Sequence, residues 1–371
     1  MVACPCARAH GCYNLSVIQL THLWPPLLAA LLTYIGLRAA LALFPKWGLL
    51  DRPHEYGLTR QPIPYSGGLI LFLAVIITTL TFVDVSRTVF ALLIAATLIV
   101  GVSFWDDRRR LSPWLRLGVQ ILAALILVAS GVQIQQISNP FGAPFFLDTI
   151  QIQIAGQTIW LLSALGITAW IVIMMNVMNW LDGIPGLTSG ISTIAHAALY
   201  LLAIQQFHVV DQSAVITMAS VLAAASAIFL IFDFHPPKIL MGDTGSMFLG
   251  FMLAALSIVA GGKFATALLI MGFAVVDAIW VVLTRIFRGQ SPIRGDLTHF
   301  HHRLLDAGLT ERKALFLNYT ICILFAAIAL LRDTAREKFF ALLAVLLIMT
   351  GVGLLLMKEE SKEENADSRI N

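Results

Sequence analysis

Two adjacent aspartates, Asp106 and Asp107, are the first residues whose types and spacing could support catalysis. They close an apolar run, where neighbouring carboxylates repel each other and are costly to desolvate unless a cation offsets their charge. The arginines at 108–110 have a simpler explanation as markers of membrane topology. The acid pair has no such explanation, and we predict that it is functional. Arg116 and Gln120, four residues apart, are expected to share one face of the next helix.

A second polar set consists of Asn176, Asn179 and Asp182, which recur every three residues. Near a helix end this spacing lets all three side chains point the same way. Their carbonyl and carboxylate oxygens are the ligands that hard cations such as Mg²⁺ take. Helix capping is the simpler alternative, because Asn and Asp favour helix ends. Three aligned polar groups beside an apolar span exceed what a cap requires, so the spacing favours a cation site.

Asp243 lies in the segment Gly-Asp-Thr-Gly-Ser at 242–246, at the start of another apolar span. The glycines permit a close approach of the backbone, and the carboxylate would meet a metal or phosphate at a helix N-terminus. Alone, this segment could be only a helix cap. Beside the other carboxylates, Asp243 becomes a candidate for metal or phosphate binding.

The longest polar segment, 285–313, contains Arg294, His299, His301 and His302. Zinc binding is disfavoured, because the spacing lacks the i, i+4 histidine pair of a helical metalloprotease and has no cysteine nearby. Imidazoles beside arginines suit phosphate oxygens, to which they donate hydrogen bonds. We therefore predict phosphate contact here, with a structural role as the open alternative.

Arg60 is followed by Pro62 and Pro64, which stiffen an extended segment. Gly67 and Gly68 then open the next helix, where free backbone N–H groups attract anions. An ordinary Pro/Gly connector is the alternative, and this segment taken alone favours the connector.

Asp277 lies within an apolar span. A carboxylate inside a membrane is a functional candidate by default. Arg285 follows at the inner end of the same span, on a similar helix face. An ion pair that packs helices is therefore an equal alternative for Asp277.

The elements that must carry these residues are membrane helices, because 58% of the 371 residues are hydrophobic and only 12% are charged. A segment of ~20 residues with a rise of ~1.5 Å per residue crosses a ~30 Å hydrocarbon layer as a helix. Short linkers disfavour a large soluble protein with buried helices. We predict an all-α integral membrane protein with eleven spans, at 23–44, 67–83, 88–104, 115–131, 159–178, 187–205, 212–232, 245–261, 264–284, 314–331 and 338–357.

Alternate gaps between these spans hold most of the polar motifs and most of the positive charge. Seventeen of the 24 lysines and arginines lie in these gaps, at Arg116 or in the C-terminal tail. Because basic residues near span ends mark the cytoplasmic side, the N-terminus is predicted outside and the C-terminus inside. The predicted cytoplasmic active-site loops are 45–66, 105–114, 179–186, 233–244 and 285–313.

The remaining segments complete a single-domain organisation. Residues 132–158 form the one long outer loop, and alternating Ile and Gln between 150 and 154 predict a small external β-hairpin there. Residues 1–22 are an external segment, and the charged tail 358–371 is predicted to be disordered. No internal repeat is visible, so 23–357 is predicted to be one polytopic membrane domain.

In this order and on alternating loops, the motifs over residues 45 to 313 resemble those of the polyprenyl-phosphate N-acetylhexosamine-1-phosphate transferases. The resemblance is greatest to the undecaprenyl-phosphate N-acetylglucosaminyl 1-phosphate transferase branch. It is carried by Asp-Asp, Asn-x-x-Asn-x-x-Asp-Gly, Gly-Asp-x-Gly-Ser and His-x-His-His-Arg-Leu. The resemblance implies transfer of a sugar-1-phosphate from a UDP-sugar to polyprenyl phosphate, with release of UMP. It also implies a place at the cytoplasmic face of the plasma membrane, as the first membrane step of a cell-envelope glycan pathway.

The same resemblance implies roles for individual residues. It implies a Mg²⁺ ion, with Mn²⁺ as a substitute, held by Asp243 with Asn179 or Asp182. Asp106 and Asp107 would serve the metal and the lipid phosphate. The residues implied to bind phosphate or nucleotide are Arg60, Arg116, Asn176, Asp182, Arg294, His299, His301 and His302. The implied partners are the two substrates and the lipid bilayer, without nucleic acid, and a homodimer stays open.

This chain departs from the family pattern at four positions. Pro185 stands where the family often has a second Asp, and Arg60 stands where the cell-wall relatives have Lys. Those relatives also have Phe and Asn where this chain has Leu240 and Asp233. The departures fall mainly on the nucleotide side, so they concern base and sugar specificity more than the chemistry.

Two alternatives stay open at this point. Within the transferase interpretation, direct in-line attack by the lipid phosphate competes with a covalent phospho-aspartate at Asp106. The alternative to a transferase is a polytopic ion or metabolite transporter, in which Asp277 and the loop carboxylates would form a path for cations. Transporters usually bind their cargo at the midplane of paired repeats, whereas the polar residues here lie at span ends without a visible repeat.

Overall fold

The structure is a computed structural model in which most of the chain is helical. It describes residues 20–56, 60–154, 156–206, 212–261, 268–287, 289, 304–306, 308–332, 334–344, 347 and 351. The predictions for Arg294, His299, His301 and His302 lie outside the described residues, as do those for the tail 358–371.

Ten helices carry the described part of the chain. They are α1 (Trp24–Leu43), α2 (Gly68–Phe82), α3 (Arg87–Arg108), α4 (Pro113–Ala129), α5 (Leu161–Leu181), α6 (Leu187–Gln206), α7 (Ser213–Asp233), α8 (Gly242–Val259), α9 (Gly272–Phe287) and α10 (Glu311–Leu331). Short 3₁₀ turns precede α1 at Leu20–Leu23 and follow it at Pro45–Trp47 and Pro53–Tyr56. A further helical stretch covers 335–344.

Seven of these helices are long and apolar enough to cross a membrane: α1, α3, α5, α6, α7, α8 and α10. The helices α2 and α4 are apolar but shorter. The prediction of a helical, multi-pass membrane protein is therefore confirmed, whereas the number of eleven spans and their orientation stay predictions. Helix α9 lies within and just beyond the predicted span 264–284, and residues 268–270 before it are also helical. The predicted span 338–357 is described mainly as the helix at 335–344.

Helix α8 lies at the centre of the bundle and packs against α3 and α5. Its side chains are buried along nearly its whole length, from Gly242 to Ile258. Other helices expose large apolar side chains, such as Leu31 and Ile35 on α1. In a membrane such faces meet lipid, so the central position of α8 places its polar N-terminus inside the protein rather than against the bilayer.

Several helices extend beyond the predicted spans, and two of these extensions carry candidate site residues on α3 and α5. The predicted span 88–104 ended too early, because α3 continues to Arg108 and carries Asp106 and Asp107 in its last turn. The predicted span 159–178 also ended too early, because α5 continues to Leu181 and includes Asn179. These polar residues have partners within the protein, so the helices need not stop before them.

The connection between α3 and α4 is short, and Ser112 and Pro113 fix the point at which α4 begins. Ser112 precedes α4, and its hydroxyl oxygen accepts a hydrogen bond from the backbone N–H of Leu115 at 3.2 Å. Pro113 occupies the first helical position, where its missing N–H costs nothing. Arg116 in the first turn of α4 is thereby brought next to the last turn of α3.

The loop between α4 and α5 contains two small antiparallel sheets rather than the single predicted hairpin. In the first, β1 (Gln136–Ile137) pairs with β2 (Phe145–Phe146). In the second, β3 (Gln151–Ile154) pairs with β4 (Gln157–Trp160), beyond the predicted boundary of 158. The alternation of Ile and Gln correctly predicted β3, but the other short strands carry no such pattern.

Candidate active site

The carboxylates predicted to act together converge where α3 and α5 end and α8 begins. The Nδ2 of Asn179 donates a hydrogen bond to Oδ1 of Asp243 at 2.8 Å. The backbone N–H of Asp243 donates to Oδ1 of Asp107 at 2.9 Å. Three segments that are far apart in the chain are therefore in direct contact, as predicted, while their chemical roles stay predictions.

Arg116 of α4 lies between the acidic side chains. Its Nη1 is 3.1 Å from Oδ2 of Asp106, and its Nη2 is 2.9 Å from Oδ2 of Asp243. The same Nη2 donates to Oδ1 of Asn179 at 3.3 Å. We call Asp106, Arg116, Asn179 and Asp243 the Arg116 cluster. The Asp243 side chain is 27% exposed and that of Asp106 only 7%, so the cluster opens to solvent on the Asp243 side.

Asp106 is held from two sides. Its Oδ1 accepts a hydrogen bond from the backbone N–H of Leu111 at 2.6 Å, while its Oδ2 pairs with Arg116. The first contact fixes the turn between α3 and α4. The second joins α3 to the rest of the Arg116 cluster.

Asp107 caps helix α8 from another helix. Its two oxygens accept the backbone N–H groups of Asp243 and Thr244, at 2.9 and 3.4 Å, and the Thr244 hydroxyl at 2.5 Å. Met241, the residue before α8, supplies no side-chain cap, so these N–H groups would otherwise lack a partner. These contacts hold Asp243 at the start of α8, and the predicted catalytic role of Asp107 stays a prediction.

Gly242 and Ser66 make this capping possible. A Cβ on Gly242 would lie 2.7 Å from Oδ2 of Asp107, and its φ of 72° is one that glycine adopts most easily. Ser66, with a φ of 66°, also hydrogen-bonds to Asp107 through its side chain. Sequence reasoning missed Ser66 and Thr244, because each acts through a contact with a residue distant in the chain.

Asn176 and Asn179 share one face of α5, as their spacing predicted. Whereas Asn179 meets Arg116, Asn176 donates from Nδ2 to Oε1 of the buried Gln120 at 2.8 Å, one turn further along α4. The same nitrogen donates to the backbone oxygen of Val172 at 2.7 Å. The donors of Asn176 thus serve helix packing here, and its predicted contact with phosphate stays a prediction.

Asp182 follows α5 directly, and its backbone N–H donates to the backbone oxygen of Asn179 at 3.2 Å. Burial raises its pKa well above the usual range, and the nearby carboxylates of Asp233, Asp243 and Asp107 raise it further. A hydrogen bond with the Thr188 side chain acts in the opposite direction. Because burial is the largest cause, the raised pKa favours the neutral, protonated form of Asp182.

Asp233 fixes the loop that contains Asp182. Its Oδ2 accepts the backbone N–H of Gly186 at 2.9 Å and the Ser189 hydroxyl at 2.8 Å. The Tyr319 hydroxyl of α10 donates to the backbone oxygen of Gly186 at 2.5 Å. We call these contacts the Asp233 anchor. They tie the loop to α6, α7 and α10, a role that no local sequence pattern indicates.

Arg60 makes its contacts within its own loop. It forms an ion pair with Asp51 and donates to the backbone oxygen of Gln61 at 3.1 Å. Asp51 also accepts the backbone N–H of Ile63 at 2.7 Å, which completes a closed loop structure. The predicted contact of Arg60 with substrate phosphate stays a prediction.

Gly67 and Gly68 at the start of α2 fit the connector interpretation rather than an anion site. Their backbone N–H groups donate to the backbone oxygens of Leu240 and Met241, at 2.9 and 3.0 Å. A Cβ on Gly68 would collide with the backbone of Gly245. The glycine pair therefore allows α2 to pack closely against the start of α8.

Asp277 and Arg285 are both buried on α9. Their burial is compatible with either interpretation of Asp277, as a functional group or as a member of a helix-packing pair.

The donor chemistry of the Arg116 cluster fits a hard cation such as Mg²⁺. Asp106, Asp243 and Asn179 present carboxylate and amide oxygens to one position, the guanidinium of Arg116. Within the described residues, no group of three or more His, Cys, Asp and Glu side chains is placed to hold a metal. A site here would therefore combine two carboxylates with the amide oxygen of Asn179.

Comparison with known proteins gives a family match and relatives that align over most of their length. The sequence model of glycosyl transferase family 4 matches residues 89–261, from the start of α3 to the end of α8. A decaprenyl-phosphate N-acetylglucosaminephosphotransferase of Mycolicibacterium smegmatis is 31% identical, over 79% of this chain and 77% of its own length. The undecaprenyl-phosphate alpha-N-acetylglucosaminyl 1-phosphate transferase of Escherichia coli is 28% identical, over 78% and 77%.

A probable undecaprenyl-phosphate N-acetylglucosaminyl 1-phosphate transferase of Bacillus subtilis is also 28% identical, over 78% of this chain and 79% of its own length. The region matched by the family model contains every residue of the Arg116 cluster and the Asp233 anchor except Tyr319. All three relatives are named as transferases, so the transporter alternative has no support.

Proposed function

This chain belongs to glycosyl transferase family 4. We propose that it transfers a sugar-1-phosphate from a UDP-sugar to polyprenyl phosphate. The transferred group is N-acetylglucosamine-1-phosphate or the 1-phosphate of a related N-acetylhexosamine. The relatives are named for undecaprenyl or decaprenyl phosphate as the acceptor lipid. In the proposed reaction an acceptor phosphate oxygen bonds to the β-phosphorus of the UDP-sugar. The bond from this phosphorus to the bridging oxygen breaks, and UMP leaves.

The observation that carries this proposal is the convergence of the Arg116 cluster at one end of an apolar bundle. Both substrates are anions, so their approach in a partly desolvated site requires compensating positive charge. A carboxylate pair that gathers a cation, with a guanidinium beside it, provides this compensation. The surrounding helices would hold the prenyl chain in lipid while its phosphate reaches the cluster.

Mg²⁺ would be held by Asp243, Asn179 and Asp106, whose oxygens meet at Arg116. When bound, it supplies charge neutralisation and alignment of the diphosphate. Asp182, in the loop fixed by the Asp233 anchor, lies near the carboxylates of Asp243 and Asp107. Asp107 keeps Asp243 at the first turn of α8.

Direct attack by the lipid phosphate is favoured over a covalent phospho-aspartate. The side chain of Asp106 is only 7% exposed, and both of its oxygens already have partners, in Leu111 and Arg116. A phosphomonoester with a second pKa of ~6 is largely ionised at neutral pH, so it needs orientation more than deprotonation. Asp106 would supply this orientation through Arg116.

The distribution of basic residues supports a cytoplasmic location of the active site. Lys46, Arg52 and the arginines at 108–110 flank the end of the bundle that holds the cluster. Basic residues near span ends are retained on the cytoplasmic side. A cell-envelope glycan pathway would then receive the lipid-linked product.

An assay with a panel of UDP-sugar donors tests the proposed reaction. Membranes that contain the protein are incubated with undecaprenyl phosphate and a series of UDP-sugars, and UMP release and lipid-linked product are measured together. We expect equal amounts of both with UDP-N-acetylglucosamine or a related UDP-N-acetylhexosamine. Absence of product with every UDP-sugar, in a preparation that retains folded protein, would contradict the proposal.

An exchange assay separates the two mechanisms. Labelled UMP is incubated with UDP-sugar and the purified enzyme in the absence of lipid acceptor. Direct attack predicts no label in the UDP-sugar, because no phosphorylated enzyme forms. Exchange at a rate comparable to turnover would instead establish the phospho-aspartate route.

A further inference from the structure

We propose that the Arg116 guanidinium is an exchangeable counter-ion. In the absence of a divalent cation it holds the metal-binding oxygens together, and on cation binding it leaves them and turns to substrate phosphate. This inference rests on the proposed function, because it assumes that the cation uses the oxygens of the Arg116 cluster.

The contacts of Arg116 carry the first step of the inference. Its two terminal nitrogens reach Oδ2 of Asp106 at 3.1 Å and Oδ2 of Asp243 at 2.9 Å. A third contact, at 3.3 Å, goes to Oδ1 of Asn179. Asp106, Asn179 and Asp243, the side chains of the cluster that could bind a metal, therefore each have at least one oxygen in contact with the guanidinium.

Charge gives the second step. Without a cation, the carboxylates of Asp106 and Asp243 would face each other with no compensation in a partly buried site. Arg116 supplies one positive charge there and always remains protonated. A divalent ion on the same oxygens would repel the guanidinium at short range, so the two cations compete for one place.

Exposure and side-chain chemistry give the third step. The Arg116 side chain is 31% exposed, and it reaches the cluster from the first turn of α4 on a long flexible stem. Its displacement therefore requires no movement of a helix. The released guanidinium offers a planar fork of donors that matches phosphate oxygens. One residue would thus balance the carboxylates before cation binding and bind phosphate afterwards.

Binding of Mn²⁺ alone tests this exchange without any turnover. The purified full-length protein in detergent is titrated with Mn²⁺, and free Mn²⁺ is followed by electron paramagnetic resonance. Suppose that in about one tenth of the wild-type molecules the Arg116 guanidinium has left the oxygens of Asp106, Asn179 and Asp243. Arg116→Met, in which these oxygens are always free of the guanidinium, should then bind Mn²⁺ about tenfold more tightly than the wild type. In EDTA the same variant should unfold at a lower temperature, and Mn²⁺ should raise its Tm more than that of the wild type.

Arg87→Met is the matched control, because Arg87 lies at the opposite end of α3 and donates to the backbone oxygen of Ala129 at 2.7 Å. It should leave Mn²⁺ affinity unchanged, and an equal increase there would overturn the inference. Equal or weaker Mn²⁺ binding by Arg116→Met would also overturn it. Should that variant not fold, Arg116→Gln also removes the charge but keeps a polar side chain, and affinity no higher than wild type would be equally contradictory.

Asp243→Asn separates this inference from the proposed function. Loss of Mn²⁺ binding in Asp243→Asn, together with unchanged affinity in Arg116→Met, would leave the metal site in place and overturn only the exchange. Unchanged Mn²⁺ binding in Asp243→Asn would show that the cation does not use the cluster, and both proposals would lose their metal site.

Discussion

Two acidic regions of this molecule hold their carboxylates in different ways. In the Arg116 cluster, Asp106 and Asp243 are balanced by a single flexible guanidinium. In the Asp233 anchor, the carboxylate accepts hydrogen bonds from a backbone N–H and a short hydroxyl side chain. A cation or phosphate can rearrange the first set of contacts, whereas the second cannot change without moving a loop. The difference separates the groups that would take part in chemistry from those that position them.

Asp107 shares a property with each region. It contacts Asp243 of the Arg116 cluster, but like Asp233 it accepts hydrogen bonds from a backbone N–H and a hydroxyl group, here those of Asp243 and Thr244 in α8. Asp107→Asn should lower UMP release about 100-fold, since a neutral cap holds the start of α8 and Asp243 less firmly. It should cost about 0.5–2 kcal/mol of stability, as expected for a weakened helix cap. Enzyme assays and thermal unfolding measure the two effects.

Asp148→Asn is the matched control for this variant. Asp148 lies in the loop between α4 and α5, where its Oδ2 is 3.4 Å from Nε2 of Gln135. It should change neither activity nor stability measurably. Wild-type turnover in Asp107→Asn would contradict the positioning role of Asp107.

Asp233→Ala removes the centre of the second region. It leaves the Gly186 N–H and the Ser189 hydroxyl buried without their acceptor, at a cost of about 1–3 kcal/mol. Because the loop then holds Asp182 less firmly, the KM for UDP-sugar should rise several-fold while kcat falls less. A hundredfold fall in kcat at unchanged Tm would place Asp233 among the reacting groups instead.

The two regions also differ in how far the sequence predicted them. The order of Asp106, Asn179 and Asp243 along the chain predicted one site, because apolar spans of similar length bring alternate loops to the same end. The Asp233 anchor could not be predicted in this way. Asp233 accepts a hydrogen bond from the backbone N–H of Gly186, which lies 47 residues away. No sequence motif around either residue indicates that the two are in contact.

Capping gives a second example of this limit. Asp107 was predicted to be a site residue, but its bond to the backbone N–H of Asp243 joins residues 136 positions apart. The sequence showed an acid and a Gly-rich helix start, both of which have local explanations. Only the packing of α3 against α8 shows that one completes the other.

The smallest effect is expected at the edge of the second region. Tyr319→Phe removes the hydroxyl that donates to the backbone oxygen of Gly186, while the ring stays in place. Loss of a single hydrogen bond should cost about 0.5–1.5 kcal/mol, and turnover should stay within about twofold of wild type. Thermal unfolding and a steady-state assay check both values. A loss of activity as large as that of Asp107→Asn would contradict the separation of the two regions.

The central claim is that the carboxylates gathered around Arg116 carry out a cation-dependent transfer of sugar phosphate to lipid. The most direct measurement compares wild type and Asp243→Asn in nanodiscs, with β-labelled UDP-N-acetylglucosamine, undecaprenyl phosphate and Mg²⁺. The account predicts that wild type places the label in lipid with one UMP released per product, and that EDTA or Asp243→Asn lowers this at least about 100-fold. Wild-type transfer by folded Asp243→Asn, or full activity in EDTA, would contradict it.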